Sequence, residues 1–302
     1  MAISRSQLVK ELEPGLNALF GLEYDKYENE HAEIFNEESS DRAFEEEVML
    51  TGFGNAPVKQ EGAAVTFDSA NEAYTARYTH ETVALAFSIT EEAVEDNLYD
   101  RLSARYTRAL ARSMAHTKQI KAANVLNNAF TGGATAGGDG VSLVNTAHPT
   151  TGGGNFSNRN ATDADLNETS LEQAMIDISQ FIDERGLRIA VQARKLIVPP
   201  QLMFVADRIL NSTLRTGTAD NDINALVNMS MLPEGYRVNH YLTDTDAYFI
   251  MTDAPNGFKQ FVRTPLATAM EGDFDTGNVR YKARERYSFG FSDPRCVYGS
   301  QG

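Results

Sequence analysis

Residues 83–130 read VALAFSITEEAVEDNLYDRLSARYTRALARSMAHTKQIKAANVLNNAF, and the change of period inside this stretch decides the fold. Val83, Leu85, Phe87 and Ile89 alternate with Ala84, Ala86 and Ser88, the period of two of a half-buried strand. Thr90 then occupies a helix N-cap position. Glu91, Glu92, Glu95 and Asp96 crowd the first turns, where the positive end of the helix dipole favours carboxylates. No glycine or proline occurs between Gly62 and Gly132. A helix is therefore predicted from about Glu91 to about Phe130, roughly 60 Å long at 1.5 Å per residue. Leu98, Leu102, Tyr106, Ala109, Ser113, Thr117 and Ile120 recur at spacings of three and four and are predicted to form its apolar face. Arg101, Arg105, Arg108 and Arg112 form a second stripe. Three readings of it are open: a solvated face, a strip where the acidic arm or hairpin of another subunit docks, or a nucleic-acid track, the last disfavoured by the acidity of the chain.

Upstream, the strand pattern extends back to Val48. MLTGFGNAPVKQEG carries turn residues at Gly52, Gly54, Asn55 and Pro57, and Val65, Phe67, Tyr74, Ala76 and Tyr78 continue an alternation. Residues 48–90 are predicted to form one long antiparallel hairpin with Lys59 near its tip. Such a ribbon has little core and must lean on another surface. Residues 1–47 read as an acidic arm. Ser6 can cap a short helix carrying Leu8 and Leu12, Pro14 interrupts it, and the stretch from Glu23 to Glu47 is dense in carboxylates and ends in Glu45, Glu46 and Glu47. Two alternatives are open for the arm: packing on a neighbouring chain, or fraying.

Downstream of the helix, TGGATAGGDG and TTGGGNFSNRN are glycine-rich loops. Helices are predicted from about Asn167 to Arg185, stopped by Gly186, and over QLMFVADRILNS, with KLIVPP between them as a short buried strand. From Tyr236 on the chain is mostly strand. Helices and strands are segregated and do not alternate regularly, which defines an α+β class.

Composition narrows the function. The chain has 302 residues and carries 42 Asp plus Glu against 27 Lys plus Arg, a net charge of −15. That charge disfavours tight binding of phosphate backbones. The single cysteine, Cys296, excludes an intrachain disulfide and reads as an inert thiol. The N-terminus lacks the apolar core of a secretory signal, and no run approaches the roughly 18 apolar residues of a membrane span.

The residues of catalysis do not assemble into a motif. No phosphate-binding glycine loop ends in Gly-Lys-Ser/Thr, no H-E-x-x-H or G-x-S-x-G occurs, and His31, His80, His116, His148 and His240 lack metal-ligand spacing. Asp163, Asp165 and Asn167 begin like a calcium loop, but Glu168 stands where glycine is required and Ala174 where a bidentate carboxylate is required. His148 has no evident orienting partner. Lys59 reads as a solvated lysine, with an isopeptide bond to an asparagine of a neighbour as the sharper alternative. No catalytic, cofactor or metal residues are assigned, and a non-enzymatic structural role is expected.

The segments EEEVMLTGFGNAPVKQEG, YTHETVALAFSITEEAVEDNLYD, LARSMAHTKQIKAANVLNNAF, DGVSLVNTAHPTTGGGNFSN, LEQAMIDISQFIDERGL, KLIVPPQLMFVADRILNS, DTDAYFIMTD and YSFGFSDPRCVYGS follow one another across nearly the whole chain after about residue 40. In their order the chain resembles the major capsid proteins of tailed bacteriophages with the Hong Kong ninety-seven-like fold, and within them the Mu-like major head subunit group. The resemblance implies an N-terminal arm (1–47), an extended loop lying over an adjacent subunit (48–90), the spine helix of a peripheral domain (91–133), a mixed axial domain (134–262) and return strands of the peripheral sheet (263–302). It implies a structural head protein assembling as pentamers and hexamers into an icosahedral shell around double-stranded DNA, made in the bacterial host cytoplasm. The partners implied are further copies, a portal protein, and separate scaffolding and decoration or cement proteins. The inter-subunit contact candidates are Lys59, Arg101, Arg105, Arg108, Arg112, Glu45, Glu46 and Glu47. An encapsulin-like nanocompartment shell of the same fold is the alternative.

Overall fold

The computed structural model describes residues 16–90, 92, 99–215, 222–273 and 277–302. They divide into two compact units. The first comprises residues up to Glu45, Tyr78–Ala122 and Gln260–Phe289. The second comprises Glu46–Arg77, Ala123–Lys259 and Gly290–Gly302.

In the first unit, strands β1 (Asn36–Ser39), β4 (Glu81–Ile89), β10 (Phe258–Gly272) and β11 (Val279–Phe291) form a sheet in the order β1-β10-β11-β4. β4 lies antiparallel to β11, with Ile89 opposite Val279 and Glu81 opposite Tyr287. One face of the sheet carries the helix Tyr99–Asn127. Leu110, Ala111 and Met114 on the helix bury against Tyr281 and Ala283 of β11, with Val83 and Phe87 of β4 at the margin. Small residues at 111 and 283 let the backbones approach, and each large side chain buried there contributes about 1.5–3 kcal/mol.

Four expectations are corrected here. The helix has the expected period, but its buried side runs through Ser103, Thr107, Leu110, Ala111, Met114 and Ala115, one position round from the predicted stripe. Tyr106 and Ile120, which the sequence placed inward, are 47% and 38% exposed. The row through Leu110 and Met114 fills the space over Tyr281 better than one through Ala109 and Ser113. The predicted residues 91 and 93–98 lie outside the described residues, as do 1–15. Second, much of the arm packs on its own chain: residues 16–24 are helical, Leu16 and Phe20 join the helix–sheet core, and Ile34 and Phe35 are buried. Third, residues 48–90 are not one hairpin. β2 (Phe44–Leu50) pairs with β3 (Glu72–Thr79), while β4 leaves to join β11, where Val83 and Phe87 find apolar cover. His80 marks the corner between β3 and β4, its ring nitrogens 2.9 Å from Ser40 Oγ and 3.0 Å from Ser288 Oγ.

The fourth correction concerns the chain's end. In the second unit β7 (Ala193–Val198), β8 (Tyr236–Val238), β9 (Tyr248–Thr252) and β12 (Val297–Ser300) form a sheet in the order β12-β9-β7-β8. β12 is thus a strand of this sheet, not of the first, because all four of its residues are buried beside β9 and the Tyr298 hydroxyl donates to Asp177 at 2.8 Å. The helices Glu168–Ser179 and Met203–Asn211 cover the sheet through Leu171, Met175, Ile178, Ala206 and Ile209. Asn167 caps the first of these by accepting from Ser170 N at 2.8 Å, and Ser170 Oγ accepts from Asn167 N in return. That helix ends at Ser179, ahead of the expected stop. Gly186, at φ +82°, instead closes a turn in which Asp183 N donates to Leu187 O. A short hairpin of β5 (His148–Pro149) and β6 (Asn155–Phe156) completes the unit.

Candidate assembly surfaces

Between β2 and β3 the chain runs out as a ribbon. Its base is tied twice. Thr51 N donates to Asn71 O at 2.8 Å, and Gly54 N donates to Asp68 Oδ2 at 2.8 Å. Gly54 N and Ser69 N, with the Arg185 guanidinium, hold the Asp68 carboxyl below its ordinary range. Beyond the base, residues 55–70 are exposed throughout and belong to no strand. Ala63 N donates to Gln60 O, and Gly62 sits at φ +80°, where a side chain would be strained. This turn is the tip, and Lys59 stands beside it, exposed and without an ion pair among the described residues.

The ribbon is apolar where solvent would select polar residues. Val58 is 96% exposed, Phe67 95%, Leu50 69%, Val65 65% and Phe53 61%. β2 shows the same inversion in regular form. Phe44, Glu46, Val48 and Leu50 face outward, while Glu45, Glu47 and Met49 face inward. The inward carboxylates are satisfied inside the chain: Glu45 accepts from Ser40 Oγ at 2.6 Å, and Glu47 pairs with Lys259 and Ser292. Of the three glutamates, only Glu46 is turned outward, with Arg77 Nε at 3.8 Å as a loose cross-strand partner.

The helix arginines divide differently. Arg105, Arg108 and Arg112 are exposed on one side of the helix, and none of them makes an ion pair among the described residues. The Arg101 side chain lies outside the described residues. Arg108 and Arg112 line an open groove of about 450 Å³ with Glu23, Tyr27, Ala109, Ser113 and His116.

The histidine singled out in the sequence has an orienting partner that sequence could not supply. His148 is fully buried, with Nδ1 2.6 Å from Asp139 Oδ2 and Nε2 3.1 Å from Asn158 Oδ1, and it stacks on Phe156. Asn158 Nδ2 donates to the carbonyls of Leu143, Pro294 and Val297. A base enclosed in this way reaches no substrate; the group braces the glycine-rich loops against β12. A second brace lies beside it. Buried Arg295 donates to Glu184 at 2.8 Å, to Asp293 at 3.1 Å and to Ile182 O at 2.7 Å, and covers the Phe156 ring at 4.2 Å. Sequence reasoning missed Arg295 because its acceptors Glu184 and Ile182 lie 111 and 113 residues away. Asp163 is held by Arg159, and Asn167 is a helix cap, so the calcium-loop likeness is accounted for by local structure. No group of three or more acidic, histidine or cysteine residues fit to hold a metal occurs among the described residues. Cys296 is buried, which pushes its thiol well up and leaves it unreactive. No described helix is long and apolar enough to cross a membrane.

A helix laid across a four-stranded sheet, a second mixed unit and a projecting ribbon place the chain in the capsid-subunit class of folds. The capsid of Myoviridae phage XM1 superimposes with a TM-score of 0.53 at 12% identity, over 88% of this chain and 88% of that one. A Mycobacterium phage Adephagia structure matches at 0.53 and 12% identity, over 91% and 90%. The capsid of an empty GTA particle matches at 0.53 and 12% identity, over 90% and 89%. Such identities establish the fold alone. Among curated proteins none matches the chain significantly in sequence. The family model described as phage capsid protein matches residues 73–300. The chain belongs to that family and is a structural, major capsid protein of a virion.

Proposed function

We propose that the chain tiles an icosahedral phage head as pentamers and hexamers, enclosing double-stranded DNA. In this reading the first unit is the peripheral domain with its spine helix and the second is the axial domain. The ribbon between β2 and β3 is the extended loop that lies over an adjacent copy. A portal protein, and separate scaffolding and decoration proteins, act on the same shell, which is assembled in the host cytoplasm. Placement in the Mu-like head group rests on the segments quoted from the sequence.

One observation carries the reading: the ribbon and the outward side of β2 present Phe44, Val48, Leu50, Phe53, Val58, Val65 and Phe67 to solvent. Exposed apolar surface on this scale marks a surface that another protein covers. Contacts repeated over every copy can be individually weak and collectively strong. The exposed candidates fit the same role: Arg105, Arg108 and Arg112 receive carboxylates from a neighbour, while Lys59 sits on the loop that lies over it and Glu46 on the outward side of β2; Arg101 is proposed for the same role from its place in the sequence stripe. The encapsulin-like alternative is compatible with the same fold and surfaces, and the matching family model, that of phage capsids, favours the virion reading over it.

The test is the size of the purified, full-length protein. Ultracentrifugation and negative-stain imaging are expected to show megadalton closed shells. A compact small oligomer in which the ribbon is protected from proteolysis by its own subunit would overturn the proposal.

A further inference from the structure

The sheet of the first unit has a second face, opposite the helix, and it is basic. Along β11 the residues alternate strictly: Tyr281, Ala283, Glu285 and Tyr287 are buried, while Arg280, Lys282, Arg284 and Arg286 point the other way. Four cations thus stand in one row, successive ones about 6.7 Å apart at two residues per step. The register fixes what lies beside them on β4: Ser88 opposite Arg280, Ala86 opposite Lys282, Ala84 opposite Arg284 and Thr82 opposite Arg286. All four of these neighbours are small, uncharged and exposed. Arg280 pairs with Asp273. Lys282, Arg284 and Arg286 make no ion pair among the described residues, and Arg286 Nε is buried without a hydrogen-bond partner.

We infer that this strip is a docking surface for an extended, carboxylate-bearing segment of a second copy of the chain. The inference rests on the shell-forming role proposed above and names a surface within it. Like charges in a row repel one another, and the arrangement is relieved when carboxylates lie along it. A chain with a net charge of −15 brings those carboxylates with every copy. The shape selects among polyanions. The cations form a single line with a flat shoulder of Thr82, Ala84, Ala86 and Ser88 alongside, which admits one extended polypeptide at close range. A DNA duplex presents phosphates on two strands, and β4 offers it no cation. Nor does the row interleave exposed aromatics, since Tyr281 and Tyr287 face the core, so bases have nothing to stack on.

The test uses assembled shells made from a mixture of 14N- and 15N-labelled protein. Carbodiimide joins an amine to a carboxylate in contact with it, forming an amide as water is transferred to the reagent, which leaves as its urea. Mass spectrometry is expected to find Lys282 linked to an Asp or Glu, with mixed-isotope pairs showing that the link crosses between copies. Lys282→Gln/Arg284→Gln is expected to keep the subunit folded by circular dichroism, remove these cross-links, and slow shell formation at low salt at least tenfold. Shells in which Lys282 stays open to acetylation, or links only within one copy, overturn the inference alone. Protection of Lys282 only in DNA-filled shells assigns the strip to nucleic acid and overturns it too. Wild-type protein that forms no shells removes the functional reading and this inference together.

Discussion

Phe67→Ser separates the subunit from the shell. The Phe67 side chain is 95% exposed and receives almost no cover from its own chain. Removing it is expected to change the unfolding free energy of the isolated subunit by no more than about 0.5 kcal/mol. If a neighbour covers it fully, each contact loses about 1.5–3 kcal/mol of burial. At 1.4 kcal/mol per decade this weakens each subunit contact by roughly 10- to 150-fold. Val58→Ser, at 96% exposure, acts in the same direction. Thermal unfolding of dissociated subunits and light scattering against protein concentration read the two effects separately. The expected pattern is an unchanged melting curve with a threshold concentration for assembly raised at least tenfold. A variant that melts early shows that the ribbon packs on its own chain. One that assembles at the wild-type threshold shows that the ribbon is bare in the shell, and either result refutes the reasoning.

Three further perturbations probe what holds the subunit together. Arg295→Met leaves Glu184 and Asp293 buried without their cation and is expected to cost about 3–5 kcal/mol in chemical denaturation. Burial raises the Asp293 carboxyl and Arg295 partly restrains it, so in the variant stability is greater below the unfolded pKa and falls as pH rises through the raised one. The deficit should therefore be smaller near pH 4 than near pH 7. Asn158→Ala strands the carbonyls of Leu143, Pro294 and Val297 and should cost about 3 kcal/mol; a loss below about 1 kcal/mol would mean water replaces the amide. Lys118→Met removes the ammonium 3.6 Å from Glu285, whose carboxyl burial already raises. Stability should then fall as pH rises through the higher value, with Glu285→Gln abolishing the pH dependence in the double variant.

The elements that sequence disclosed were those with a strong local period. The long helix, the KLIVPP strand and the start of a helix near Asn167 are written within a few residues of themselves, and the structure contains them. What was not legible depends on which surface meets which. The helix stripe was placed one residue round because Ala109 and Ser113 look as suitable for close packing as Ala111 and Ala115 until the ring of Tyr281 is in position. β4 was assigned to the wrong partner because alternation says that a strand is half-buried and does not say against what. Arg295, Asp139 and Asn158 carry no local signature, since their roles come from partners distant in sequence. RYKARERY alternates cations with Tyr281, Ala283, Glu285 and Tyr287, but alternation alone does not say which side of the strand the helix covers.

β2 ties these observations to assembly. In a solitary subunit its pattern is frustrated: Phe44, Val48 and Leu50 meet water while Glu45 and Glu47 turn inward. A one-residue slip in register would exchange the two sides and bury the apolar set. The chain resists that slip because the inward carboxylates are committed, Glu45 to Ser40 and Glu47 to Lys259 and Ser292. Polar bonds on the inner side thus hold the apolar side outward. Local preference and fold agree in natural sequences as a rule. Here they agree only when a second chain is counted, because the outward row then becomes half of an interface core.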